Sequence, residues 1–229
     1  MQKTGGVSLY VRMWRYFGRQ AVYPAPSDGS PTEVAPQLFP HLLFERWAER
    51  RDEIQVVMGH FPLCTTEFLD AEFTTLTVLR HPVERTLSYL RHHRDTTPGD
   101  RELPLEAIYE DPARFRPFIE NHMVKMLSLQ ADEMTNGMMT VIDFDRGRLR
   151  RAKRALRKLD AFGLQEDLEE FAQRLEERFH WRLGPPVHSN VTEPAEVPGS
   201  LRRRIAEDNA MDMELYEYAL KLRRRRDHR

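Results

Sequence analysis

The chain has 229 residues, 40% hydrophobic and 31% charged, with a formal net charge of -1. That is enough apolar content for one substantial core, no continuous apolar run reaches the length of a membrane span, and near-neutrality disfavours a general nucleic-acid binder. The one cysteine, Cys64, excludes an internal disulfide and a Cys-rich zinc site, and no signal peptide precedes the first motif, so a single soluble cytoplasmic domain over residues 1–229 is expected.

The first turn reads Gln2-Lys3-Thr4-Gly5-Gly6-Val7-Ser8-Leu9. A lysine, two glycines and hydroxyl residues opening an amphipathic run describe an anion cradle. The glycines admit close backbone approach, the following helix offers its positive end, and Lys3 adds a mobile charge for phosphate or sulfate. Taken alone, the stretch also fits a frayed N-terminal tail. Lys3 precedes both glycines, whereas the Walker pattern puts its lysine after the last one, which disfavours an ordinary ATPase. A loop of this kind normally caps a buried strand, and Met1 sits where the last residue of that strand belongs.

Leu9, Val11, Met13, Trp14 and Phe17 space as one face of a helix ending near Gly18. Residues 21–37, with Pro24, Pro26, Pro31 and Pro36, predict an irregular surface loop long enough for a lid. Helical spacing returns over Leu38–Arg51. Ile54–Met58 then reads as a short buried strand running into Gly59-His60, a position that faces the ligand crevice of an α/β sheet. Thr74–Leu79 is the most β-prone run and ends at Arg80-His81-Pro82. Pro82 suits the first turn of a helix over Val83–Arg94, which carries Arg85, Ser88 and His92 on neighbouring turns, with Arg91 and Arg94 expected on a solvated face. Beyond a linker at Pro98–Pro104 come a helix over 111–129, an edge strand at Met138–Ile142, an amphipathic helix over Arg146–Leu159 and a strand at Ala161–Leu164. An acidic helix over Glu166–Phe179, an irregular loop from Pro185 and a closing helix over Leu201–Arg226 complete the alternation. The basic runs at Arg148–Arg154 and Arg223–Arg226 are expected as solvated helix faces.

The first loop, Gly59-His60, and Leu79-Arg80-His81-Pro82-Val83-Glu84-Arg85 followed by Leu87-Ser88-Tyr89 resemble the carbohydrate sulfotransferases, most closely their heparan sulfate 6-O-sulfotransferase branch. The likeness continues through Asn121–Leu127, Ala161–Leu164 and Asp212–Ala219 and spans nearly the whole chain. It implies an α/β fold, a P-loop-like three-layer sandwich with a central parallel sheet whose first strand is missing or truncated here. It also implies 3′-phosphoadenylyl sulfate as co-substrate, no metal, and a glycan or other hydroxyl-bearing acceptor, with no nucleic acid as partner and no membrane span.

Carried over by position, Lys3, Thr4, Gly5, Gly6, Val7 and Ser8 would hold the phosphosulfate, and Arg80 and Ser88 the 3′-phosphate. Ser189, Asn190 and Thr192 lie in a stretch that resembles the family's nucleotide-covering segment. His60 would be the general base on the acceptor hydroxyl, since its ordinary pKa of about 6.5 leaves it proton-accepting near neutrality. Lys3 would stabilise the leaving phosphate, and His92 and Glu67 stand next in line as base. The chain departs from the family pattern at Val7, in place of threonine, and at His81, in place of aspartate. Two other readings stay open: a nucleotide-dependent phosphoryl transferase using ATP and magnesium, and a non-catalytic glycan-binding relative that holds an acidic polymer on the basic helix 146–154.

Overall fold

A computed structural model describes residues 1–29, 34–186 and 197–227. Pro31 and the expected nucleotide contacts Ser189, Asn190 and Thr192 lie outside the described residues. In chain order the elements are α1 (Gly6–Phe17), β1 (Val22–Tyr23), α2 (Ala35–Leu38), α3 (Pro40–Arg50), β2 (Val56–Val57), β3 (Leu76–Leu79), α4 (Pro82–Thr96) and α5 (Leu105–Glu110). They continue with α6 (Pro112–Arg114), α7 (His122–Ser128), α8 (Arg146–Lys158), β4 (Ala161–Leu164), α9 (Leu168–Phe179), α10 (Gly199–Asp208) and α11 (Ala210–Asp227). The chain is a mixed α/β protein in which helix predominates.

The four strands pair in parallel, β1 with β2 and β3 with β4, with Leu76 opposite Ala161 and Leu79 opposite Leu164. The single central sheet of the sequence reading is therefore divided into two pairs, because no strand among the described residues joins β2 to β3. Around β3 and β4 the layers follow from the two-residue period of a strand. Leu79, Phe162 and Leu164 pack on one face against Val124 of α7, Leu149 and Leu156 of α8 and Leu215 of α11. Val78 and Ala161 pack on the other against Leu9 and Met13 of α1 and Phe171 and Leu175 of α9. Each such fully buried aliphatic side chain contributes about 1.5–3 kcal/mol. Gly163 is required where it stands, since a Cβ there would come within 2.3 Å of the Phe171 ring.

The helices begin where local chemistry permits. Asp145 caps α8 by accepting the Arg148 N–H at 2.7 Å, and α8 buries Leu149, Ala152 and Leu156 along one stripe. Its basic face is not simply solvated: Arg148 pairs with Glu133 at 2.5 Å, and Arg146 and Lys153 with Glu214 at 2.6 and 2.7 Å. Pro82 opens α4, with Glu84 in its first turn and His93 and Arg94 in its last, matching the helix dipole.

Several expectations are corrected. Residues 21–37 are not wholly irregular: Val22 and Tyr23, both fully buried, form β1, and α2 starts at Ala35. The helix over 111–129 breaks at a π turn, Phe115–Ile119, and restarts after Asn121, which is left-handed at φ 39°. Pro117 lacks the N–H a continuous helix needs. Asn121 is held across the fold: its N–H donates to Asn209 Oδ1 at 2.8 Å, and its own Oδ1 accepts the Met211 and Asp212 N–H groups at 3.1 Å each. Asp212 returns the cap, accepting Met123 and Val124 N–H at 2.9 and 2.7 Å. The same residues divide the closing helix into α10 and α11 at Asn209. Met138–Ile142 is not a strand but a 3-10 turn, Gly137–Met139, followed by unpaired chain. No helix among the described residues is long and apolar enough to cross a membrane.

Candidate functional site

The site is built on the start of α1. Gly5 is its N-cap in the left-handed region at φ 81°, where a glycine carries no steric penalty, and Lys3 precedes it at φ 61°. No side chain caps α1 and no acidic residue stands in its first turn, so its orphan N–H groups face outward uncompensated. Thr4 is buried and its hydroxyl donates to the Met1 carbonyl at 3.2 Å, which ties the loop together and turns that hydroxyl away from any ligand. Ser8 is buried in the first turn, and Val7 is exposed.

Two strand ends converge on this loop. β2 runs into Gly59, where a Cβ would meet the Phe61 ring at 2.4 Å, and then His60, whose backbone N–H is anchored on the Gln37 carbonyl at 2.7 Å. β3 runs into Arg80, whose Nη1 donates to the Lys3 carbonyl at 3.2 Å. From α4, Ser88, Arg91 and His92 sit one turn apart and face the same space. Lys3, Thr4, Gly5, Gly6, Val7, Ser8, His60, Arg80 and Ser88 all line one cavity of about 2000 Å³. Arg91, expected on a solvated face, lines it too, whereas Glu67 is exposed and off its wall. His92 is on the wall and largely exposed.

Cations gather at the loop, while Glu72, Asp95, Glu166, Asp167, Glu169 and Glu170 line the same cavity. Burial, and then the neighbouring Arg80, lowers the Lys3 ammonium to about 8. Burial likewise lowers Arg80. Neither Lys3 nor Arg80 forms an ion pair with a carboxylate among the described residues. The Met1 amine falls to about 6, through burial and Arg85. His60 is held near 3 by burial, by the Met1 amine and by Lys3, so its ring is neutral, and its Nδ1 is enclosed without a partner.

Behind the loop lies a basic cluster that sequence reasoning did not assign. Arg85 is fully buried, its Nη2 on the Phe118 and Ile119 carbonyls at 3.1 and 3.3 Å, and burial lowers it to about 10. Lys125 is fully buried, with Nζ on the Pro117 carbonyl at 2.6 Å, and burial and Arg85 lower it to about 7. His122 has both ring nitrogens enclosed without partners. The Asp212 carboxylate reaches this group but is consumed in capping α7 and is itself raised to about 6 by burial. A signal was available in the sequence. Lys125 stands in a run that is apolar on every side, Met123, Val124, Met126 and Leu127, and a helix apolar all round is buried.

This arrangement can take a multiply charged anion at the α1 N-terminus, with a neutral histidine beside it. Compared with known proteins, the chain matches no family model and no curated sequence.

Proposed function

We propose that the cavity binds 3′-phosphoadenylyl sulfate and that the protein transfers its sulfuryl group to a hydroxyl of a glycan acceptor. The observation that carries this reading is the meeting of Lys3 and Arg80, without carboxylate partners, at the uncapped start of α1 and beside His60. Burial lowers both cations, and Arg80 lowers Lys3 further, a penalty that a bound anion relieves; a donor with a phosphosulfate and a 3′-phosphate offers one anionic group to each. In this reading the two strand pairs are halves of a P-loop-like three-layer sandwich.

The roles follow from position. Lys3 and the amides of Gly5, Gly6 and Val7 bind the phosphosulfate, and Arg80 and Ser88 bind the 3′-phosphate. His60 takes the acceptor proton as the hydroxyl oxygen bonds to sulfur, and the bond from sulfur to the phosphate oxygen breaks in line. Lys3 stabilises the charge that develops on that oxygen. A histidine near 3 is a weak base, and anionic donor bound alongside raises its proton affinity towards the useful range.

The test pairs transfer with binding. Radiolabelled 3′-phosphoadenylyl sulfate is incubated with the protein and a glycan panel, and adenosine 3′,5′-bisphosphate is compared by calorimetry with ATP and magnesium. Label on a glycan and tighter binding of the bisphosphate are expected. Tighter binding of magnesium ATP would replace the reading with phosphoryl transfer. Glycan binding without any nucleotide affinity would replace it with a non-catalytic binding protein.

A further inference from the structure

The π turn Phe115–Ile119 holds two buried cations on consecutive carbonyls: Pro117 takes Lys125 Nζ at 2.6 Å, and Phe118 and Ile119 take Arg85 Nη2 at 3.1 and 3.3 Å. Nη2 also reaches the Thr86 hydroxyl at 3.3 Å, so that nitrogen is fully engaged. The rest of the guanidinium is not. A guanidinium has donors only, and Arg85 Nε and Nη1 are enclosed with nothing to donate to. His122 opens α7 just after this turn, with no exposed surface and neither ring nitrogen partnered. Burial, and then Arg85 ahead of every other charge, lowers its proton affinity, which places the two side chains together.

Polar atoms enclosed in this way are normally satisfied, by the protein or by something held between them. The occupant must accept, because every open atom of Arg85 donates. Charge then favours an anion over water. Arg85 and Lys125 face one carboxylate, Asp212, which is spent on the Met123 and Val124 N–H groups at 2.9 and 2.7 Å and reaches neither Nε nor Nη1 of Arg85. Buried charge without a counter-charge is costly, so a second negative charge is what the cluster lacks.

Burial sets the size. Arg85, His122 and Lys125 are all without exposed surface, which suits a single dehydrated ion and not a phosphate or sulfate. The way in is short. Phe118, whose carbonyl takes Arg85, lines the large cavity, and so do Ser88 and Tyr89, one turn along α4 from Arg85.

We propose that Arg85 and His122 enclose a binding site for one small monovalent anion of the halide class, chloride in solution, held by an open N–H of Arg85 and a ring N–H of His122. With Asp212 it sets two negative charges against the two cations, and it ties α4 to the start of α7 behind the first loop. The site stands whether or not the cavity takes a sulfuryl donor.

The test uses the full chain. Crystals grown in sodium bromide are measured at the bromine absorption edge, and thermal midpoints are read in sodium chloride and in sodium gluconate of equal ionic strength. An anomalous peak between Arg85 and His122 is expected. Tm should climb with chloride and stay lower in gluconate, since an ion that binds only the folded chain stabilises it. Arg85→Gln should abolish both signals. Because that variant also releases the Phe118 and Ile119 carbonyls, His122→Leu is measured beside it and should lose the chloride increment while remaining folded. Lys3→Met should keep the increment, which separates the buried site from the cations of the cavity. Bromide found only elsewhere on the protein, a water without anomalous signal between the two side chains, or equal midpoints in the two salts overturns the proposal. So does a chloride increment that survives in His122→Leu and disappears in Lys3→Met.

Discussion

Replacing Arg80 with alanine removes the guanidinium that β3 carries to the first loop. In the structure its Nη1 donates to the Lys3 carbonyl at 3.2 Å, and burial lowers its pKa more than the nearby Glu84 and Glu166 raise it; it forms no ion pair with either, so its other N–H donors remain for a phosphate. A charge-assisted hydrogen bond in such a setting contributes about 1.5–3 kcal/mol. Coulomb attraction at about 4 Å and an effective dielectric of about 20 sets a ceiling near ~4 kcal/mol per unit charge. The expected loss of affinity for adenosine 3′,5′-bisphosphate is therefore about 10- to 150-fold. Adenosine 5′-phosphosulfate, which has no 3′-phosphate, should change little. Because the lost bond to Lys3 loosens the loop for both ligands alike, the quantity to read is the ratio of the two affinities by calorimetry on wild type and variant. Equal losses for both ligands would refute the assignment of the 3′-phosphate to Arg80.

Three further outcomes are expected. His60→Ala should lower transfer by about a hundred- to ten-thousandfold while donor affinity and Tm stay near wild type, because the ring Nδ1 has no partner to orphan and the Met1 carbonyl, which the ring also contacts, keeps its bond from the Thr4 hydroxyl; an early melt with turnover retained would move the base to His92. Lys3 is charged below about 8 and neutral above it, so donor affinity measured by calorimetry should fall as pH rises through that value, and Lys3→Met should flatten the slope. A slope unchanged in the variant would assign the titration to another group. Asp212→Ala should cost about 3–5 kcal/mol in chemical denaturation, since it orphans the Met123 and Val124 N–H groups and leaves Arg85 and Lys125 without their shared carboxylate. A loss below about 1 kcal/mol would mean that water or another group takes over the cap.

What the sequence by itself determined are the features written in local spacing. The stripe Leu9, Met13 and Phe17 with Gly18 behind it marked α1 and its end, Leu149, Ala152 and Leu156 marked α8, and the apolar run Ala161–Leu164 marked β4 to the residue. The candidate loop, His60 and Arg80 were legible too, because glycines before a helix and basic residues at strand ends are local signals. Tertiary structure alone decided the rest. The break at Asn121 depends on Asn209 and Asp212, 88 and 91 residues away, and no window of neighbours contains that exchange of caps. Burial of Arg85 and Lys125 likewise depends on carbonyls of the turn Phe115–Ile119 presented across the core. The division of the sheet was also beyond local reading: β-propensity identifies a strand, but whether its second edge finds a partner is a matter of what the fold brings beside it.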